Sequence, residues 1–333
     1  MSPLRQTPFP QPSQPNSAGK DYEWEYALPY EQLTKYERFC RTLYNSETHA
    51  VLGRNAKSWC QLLVFYTTFY IGLSILFAIC MKGLLSTLSP KQPRWLLDDS
   101  LIGTNPGLGF RPMPPNVEEG SLIWFVPSNE TNVKYWVDSI DDFLKVYTEP
   151  PKTKAVRQIC DYDTPPADGK VCNVDVNSDV WGKCTSKKNY GYSTSSPCVF
   201  LKLNRIYGWV PEYYNDTQNL PAEMPVDLKN YIRSISVDKN KLNTIWVSCH
   251  GEGPLDNESI GPIEYYPQPG FPGYFYPFKN DIGYLSPIVA IHFKRPLLHR
   301  IINIECRIWA KNAYYRKNPQ DREGAVHFEL QLD

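Results

Sequence analysis

Hydrophobic and polar positions divide the chain into unlike regions. From Ser58 to Met81, "SWCQLLVFYTTFYIGLSILFAICM" carries no charged residue and is bounded by Lys57 and Lys82. Twenty-four residues at about 1.5 Å each make roughly 36 Å of helix, enough to cross a hydrocarbon layer of about 30 Å. The pattern predicts one transmembrane helix over 58–82. Far along the chain the period changes to two. Ile302, Ile304, Cys306 and Ile308 alternate with Asn303, Glu305 and Arg307, and Val326, Phe328, Leu330 and Leu332 alternate with His327, Glu329 and Gln331. Val199, Leu201 and Leu203 alternate with Phe200, Lys202 and Asn204. Such alternation predicts half-buried strands with one solvated face. The best helical pattern beyond the span is Asn132–Tyr147, "NVKYWVDSIDDFLKVY". The expected architecture is a single transmembrane α-helix followed by an all-β domain, an antiparallel sandwich.

Composition sets the limits of these regions. Residues 1–57 form an N-terminal segment whose first twenty residues, with "PFPQPSQP", lack the apolar bulk to fold and are expected to be disordered. Residues 83–116 hold Pro90, Pro93, Pro106, Pro112, Pro114 and Pro115, which suits an extended stalk. Residues 117–333 have the length of one domain. The span begins too far in for a cleaved signal peptide, which would lie within about the first 30 residues, so it reads as an uncleaved signal anchor.

Flanking charge does not orient the span, with Arg38, Arg41, Arg54 and Lys57 on one side and Lys82, Lys91 and Arg94 on the other. Cysteines and sequons do. Cys160, Cys172, Cys184, Cys198, Cys249 and Cys306 all lie beyond the span, an even number suited to three disulfides among fifteen pairings. The N-x-[ST] acceptors Asn129, Asn215 and Asn257 lie there too. These place the C-terminal part outside and the N-terminus in the cytoplasm, a type II arrangement. Cys40, Cys60 and Cys80 are then free thiols. Zero net charge and the lack of a basic block argue against nucleic acid as a partner.

Reaction chemistry finds little support. The five histidines form no H-E-x-x-H, and there is no G-x-S-x-G elbow, phosphate loop or dinucleotide fingerprint. Asp161-Tyr162-Asp163 has the spacing of a glycosyltransferase metal pair but stands beside Cys160 in a proline-containing loop, and His250-Gly251-Glu252-Gly253 reads as a turn. No catalytic residue, metal or cofactor is assigned. A different signal is "GPIEYYPQPGFPGYFYPFK", Gly261–Lys279, with seven aromatic residues, five prolines and three glycines. That composition makes an edge or loop that either folds back on the domain or meets a partner.

The residues also resemble a family, the beta subunits of sodium/potassium-transporting ATPases, with the proton/potassium pump beta subunits next. The likeness rests on Asn45-Ser46-Glu47 and Leu52-Gly53-Arg54 before Ser58-Trp59, and on the paired aromatics Phe65-Tyr66 and Phe69-Tyr70. It continues in Tyr190-Gly191-Tyr192, Pro197-Cys198 and Lys202-Leu203-Asn204-Arg205, then Cys249, the aromatic loop and Ile304-Glu305-Cys306. The resemblance implies an immunoglobulin-like sandwich with bridges Cys160–Cys172, Cys184–Cys198 and Cys249–Cys306. It implies a non-catalytic, glycosylated plasma-membrane subunit that assists folding, insertion and surface delivery of a catalytic P-type ATPase alpha subunit and modulates potassium and sodium transport. The implied partners are that alpha subunit, through its seventh membrane helix and outer loops, the lipid bilayer, and a small single-span regulatory subunit. The implied contacts are Tyr66, Phe69 and Tyr70 in the span and Phe275, Tyr276, Pro277 and Phe278 outside, although Phe278 and Lys279 stand where the family often shows two tyrosines. Tyr66, Tyr70, Leu73 and Phe77 share one helical stripe. Self-association is disfavoured by an incomplete G-x-x-x-G, since Leu76 follows Gly72. The alternatives are a pump-independent adhesion glycoprotein and, more remotely, a type II glycosyltransferase.

Overall fold

The uncharged run and the alternating runs become, in a computed structural model, one long helix and two packed sheets. The structure describes residues 34–45, 49–89, 92–101, 103–116, 118, 120–149, 157–316 and 322–333. The expected disorder of residues 1–20, and Ser46 and Glu47 of the juxtamembrane motif, lie outside them. The chain divides into two compact units, residues 1–85 and 86–333.

The first unit contains α1 (Lys35–Leu43), a hairpin of β1 (Tyr44–Asn45) and β2 (Ala50–Val51), and α2 (Ala56–Ser86). At 31 residues α2 exceeds the uncharged run and is long and apolar enough to cross a membrane. The second unit holds β3 (Leu108–Arg111), β4 (Leu122–Phe125), α3 (Glu130–Thr148), β5 (Arg157–Gln158), β6 (Val171–Cys172), β7 (Cys198–Leu203), α4 (Val226–Ser234), β8 (Thr244–Gly251) and α5 (Pro254–Ser259). β9 (Ile263–Tyr266), β10 (Gly270–Pro272), β11 (Ile288–Phe293), β12 (Ile301–Trp309) and β13 (Ala325–Leu332) complete it.

These strands build a five-stranded sheet in the order β10-β8-β12-β13-β4 and a four-stranded sheet in the order β3-β7-β11-β9. All neighbours in them are antiparallel except β13 and β4. The two inner faces share one core, in which Phe328 of β13 meets Phe110 of β3 at 5.0 Å and Phe293 of β11 at 6.2 Å between ring centroids. This is the expected β-sandwich. Its bridges are Cys160–Cys172, Cys184–Cys198 and Cys249–Cys306. The last joins residues directly opposite one another on β8 and β12, within one sheet and not between the two.

Two expectations from the alternation change. The outward face of β7 is not solvated, because Phe200 is buried beneath Phe143, Trp181 and Tyr190. Nor is Glu305 of β12 exposed. The Tyr315 phenol donates to it at 2.6 Å, and the Arg307 guanidinium beside it lies between the Trp309 and Tyr315 rings. In each case a loop or helix covers a face that the strand's own sequence leaves polar. A third correction concerns the stalk over 83–116. Leu108-Gly109-Phe110-Arg111, a proline-free alternating window, is strand β3 and pairs with β7, so the sheet begins before residue 117.

The cover on β7 depends on an unusual backbone. Asn189, Tyr190 and Gly191 all have positive φ (47°, 49° and 77°), and a Cβ on Gly191 would lie 1.9 Å from the Ser196 carbonyl oxygen. The Tyr190 phenol donates to Asp141 of α3 at 2.5 Å and holds this run in place. Gly191→Ala therefore destabilises the domain by on the order of 3 kcal/mol. Urea unfolding of the two proteins measures this, and equal midpoints would refute it.

Across β9 and β11, Glu264 faces His292 in register. Its carboxylate is held down to about 2 by the Lys294 ammonium first, then by the Tyr266 phenol and by His292. A depressed carboxylate stabilises the fold above its unfolded value and loses that contribution as pH falls through its folded value. The melting-temperature difference between the native chain and Glu264→Gln should therefore hold at neutral pH and shrink between about pH 4.5 and pH 2. A difference independent of pH would contradict this.

Candidate interaction surfaces

The aromatic pairs in α2 follow from helical spacing. Four residues apart, Phe65 and Phe69 stack at 6.4 Å, and Tyr66 and Tyr70 stack at 6.2 Å. Phe65 meets Tyr66, and Phe69 meets Tyr70, edge to face at 5.4 and 5.5 Å. Tyr66, Phe69 and Tyr70 are all exposed, and no residue of α2 is buried by the chain. The helix thus presents a continuous aromatic face carrying two phenols, and phenols in hydrocarbon want a hydrogen-bond partner.

The loop after Gly261 does two things at once. Its first part supplies an edge strand to each sheet: β9 pairs with β11, β10 pairs with β8, and Phe271 is fully buried. Gly273 then approaches so closely that a Cβ would meet the Asn243 carbonyl oxygen and the Tyr213 hydroxyl, both at 2.4 Å. A single 3-10 turn over Gly273–Phe275 follows. It directs Phe275 inward, where 7 % of its surface remains exposed. Phe275 is therefore a correction to the expected contact set, because the turn makes it a support for that surface. Tyr276, Pro277 and Phe278 remain half-buried at the surface.

Side chains outside the loop fix that surface. The Arg205 guanidinium lies 5.4 Å from the Phe278 ring and 5.3 Å from Tyr284, and its Nε donates to Ser286 at 3.0 Å. The Gly208 N–H donates to the Phe278 carbonyl at 2.9 Å, and the Tyr207 phenol donates to the Lys279 carbonyl at 2.9 Å. Trp209 meets Tyr276 edge to face at 5.9 Å. The Tyr276 hydroxyl is buried without a hydrogen-bond partner among the described residues. Burial pushes that phenol well above its ordinary range, and the Tyr284, Tyr213 and Tyr147 phenols add to the effect. Burial also raises Tyr274 and Tyr284 to about 12. The phenols therefore stay neutral at physiological pH. Tyr274 to Pro277 line one wall of a cleft of about 420 Å³ whose other wall is Pro165–Cys172, the end of the first disulfide loop.

The sequence could show the aromatic richness of this loop, but it gave no signal that Arg205 and Tyr207, some seventy residues earlier, would clamp it. Nor could it separate the buried ring at 275 from those at 276 and 278, which keep part of their surface exposed although the Tyr276 hydroxyl is turned in.

The expected glycan acceptors are all exposed. Asn129 caps α3, its Oδ1 accepting from the Asn132 N–H at 3.2 Å. An oligosaccharide on the amide nitrogen would leave that cap intact. Asn257 likewise uses its Oδ1 to accept from the Gly251 N–H at 2.9 Å. Asn215 precedes a turn closed by Asp216.

Asp161-Tyr162-Asp163 forms a turn tied to its surroundings. Asn240 donates to Asp163 at 2.7 Å, and the Tyr162 phenol bonds Thr244 at 2.7 Å and accepts from Gln268 at 2.6 Å. Among the described residues no three His, Cys, Asp or Glu side chains gather as a metal site. His250 lies 3.9 Å from Glu305, on the covered outer face of the five-stranded sheet.

If Arg205 fixes the loop, Arg205→Ala loosens it at a cost of about 1–2 kcal/mol from two lost ring contacts and a hydrogen bond. Amide exchange over residues 273–284 should accelerate about tenfold while exchange in β8 and β12 stays unchanged. Unaltered exchange in the loop would refute the clamp.

Comparisons with known proteins agree in one direction. Residues 30–328 match the family described as the sodium/potassium ATPase beta chain. The chain is 50 % identical over 318 residues to the sodium/potassium-transporting ATPase subunit beta-2 of Drosophila melanogaster, covering 94 % of this chain and 97 % of the relative. It is 45 % identical over 317 residues to subunit beta-1 of the same organism, covering 95 % and 98 %. It is 32 % identical over 299 residues to a probable subunit beta-3 of Caenorhabditis briggsae, covering 88 % and 86 %.

Proposed function

The chain belongs to the sodium/potassium ATPase beta chain family, and from that premise we propose that it is the non-catalytic, glycosylated subunit of a sodium/potassium pump in the plasma membrane. It assists the folding, membrane insertion and surface delivery of a catalytic alpha chain and tunes its cation affinity. In this reading α2 crosses the bilayer with the N-terminus in the cytoplasm. Asn129, Asn215 and Asn257 carry oligosaccharides outside.

The observation that carries the reading is the uncovered aromatic face of α2. A helix that only anchors a domain in lipid has no use for two phenols stacked near its middle. A multi-span neighbour that must pair its own polar groups in hydrocarbon does. On this reading Tyr66, Phe69 and Tyr70 dock on the alpha chain's seventh membrane helix. Outside the membrane, Tyr276, Pro277 and Phe278, backed by Phe275 and clamped by Arg205, meet its outer loops. A neutral aromatic surface on a rigid support loses little side-chain freedom on binding, which favours a lasting contact.

Purification of the full chain from native membranes in mild detergent is expected to recover it in a stable complex with a larger, multi-span P-type ATPase. Tyr66→Leu combined with Tyr70→Leu removes two interhelical hydrogen bonds, together about 1 kcal/mol. That pair should weaken association or shift apparent potassium affinity roughly fivefold while insertion survives. Recovery of the native chain as a lone monomer would overturn the reading.

A further inference from the structure

The first unit carries a second uncovered surface, on the N-terminal side of α2. In α1, Tyr36, Phe39, Cys40 and Leu43 fall at the spacings of one helical face, within an arc of about 100°. Tyr36, Phe39 and Leu43 are 76 %, 62 % and 45 % exposed, and Cys40 is an exposed free thiol. Val51 and Leu52 of the adjoining hairpin are also exposed. A nine-residue helix in water does not sustain itself by backbone hydrogen bonds alone, and a contiguous apolar face calls for a partner.

The hairpin specifies which partner is within reach. The Leu52 N–H donates to the Leu43 carbonyl at 3.1 Å, and Tyr44–Asn45 pairs with Ala50–Val51. Val51 and Arg54 exchange two backbone hydrogen bonds, and the Trp59 indole, inside α2, donates to the Val51 carbonyl at 2.8 Å. The C-terminus of α1 is thus held beside Leu52, and the four residues onward to Ala56 span at most about 14 Å. If α2 crosses a bilayer, the C-terminal end of α1 stays within reach of the headgroup layer. Charge agrees with this placement: between residues 34 and 57 the sequence carries Lys35, Arg38, Arg41, Arg54 and Lys57 against Glu37 and Glu47.

We propose that α1 is an interfacial helix that binds an anionic lipid surface. Tyr36, Phe39, Cys40 and Leu43 enter the boundary between headgroups and acyl chains, and Lys35, Arg54 and Lys57 meet anionic headgroups. The proposal rests on the reading that α2 spans the membrane. It adds a lipid-composition sensor at the foot of that span, fixed there by the Trp59 and hairpin contacts.

Cys40 supplies its own reporter. In the full chain with Cys60→Ser and Cys80→Ser it is the one free thiol left, because the other six cysteines are bridged. That protein is reconstituted in nanodiscs of phosphatidylcholine with or without phosphatidylserine and treated with a charged, membrane-impermeant maleimide. Labelling of Cys40 is expected to be roughly tenfold slower in the phosphatidylserine discs than for the Phe39→Glu, Leu43→Glu variant in the same discs. It should quicken when phosphatidylserine is left out. Labelling as fast as in the variant would overturn the proposal. So would slow labelling that is unchanged when phosphatidylserine is left out, because a cover of protein is indifferent to headgroup charge. Alkaline carbonate washing of membranes separates the two readings. Release of the chain would sink both, whereas retention with fast labelling would sink the interfacial helix alone.

Discussion

A sheet buried on both faces needs a cover on each, and the second unit is organised around meeting that demand. The two sheets cover one another on their inner faces. The outer face of the four-stranded sheet is closed by α3 and by the loop from Cys184 to Cys198, with Phe200 beneath Phe143, Trp181 and Tyr190. The outer face of the five-stranded sheet is covered over β8 and β12 by α4, whose Tyr231 meets Trp246 at 6.1 Å, and by the segment carrying Tyr315, while Trp124 of β4 stays exposed. Once both faces are filled, little freedom remains for the connections that leave the sandwich. The aromatic loop between β10 and β11 is one of them, and its outward surface is as fixed as the core that it leans on.

That rigidity decides what the loop presents to solvent. A loop with this density of rings could collapse inward in many ways. Here Gly273 locks its entry, Arg205 and Tyr207 hold its exit, and Phe275 fills the space behind it. Tyr276, Pro277 and Phe278 are left in a defined arrangement, uncharged across the physiological range. The aromatic face of α2 follows the same logic with simpler means, since helical spacing alone stacks its rings.

What the sequence could reveal follows from what periodicity measures. The span was legible because a charge-free run of that length has few other uses, and β7, β12 and β13 were legible because their inner faces alternate. Phe200 and Glu305 were misjudged because alternation reports what a strand offers to its two sides, and what later packs there comes from elsewhere. β3 was hidden by the prolines around it, a stronger local signal than its four alternating residues. In the aromatic loop, aromatic richness could be read but direction could not: whether a ring at 275 points in or out is decided by one turn of 3-10 helix. The clamp from Arg205 lies too far away in sequence for any local pattern to announce.

The parallel ladder between β4 and β13 has a consequence in time. It joins positions as far apart as Trp124 and Asp333, whose side chains meet at 2.7 Å across 209 residues of sequence. Contacts of such long range are made late, because the entropy of closing the loop must be overcome before they return anything. During synthesis on a ribosome, β4 emerges first and waits with an unpaired edge until β13 arrives. For that interval the growing chain is a half-built sheet, and pairing with the wrong edge is its main hazard. A topology of this kind ties a protein's yield to the help it receives while it is being made.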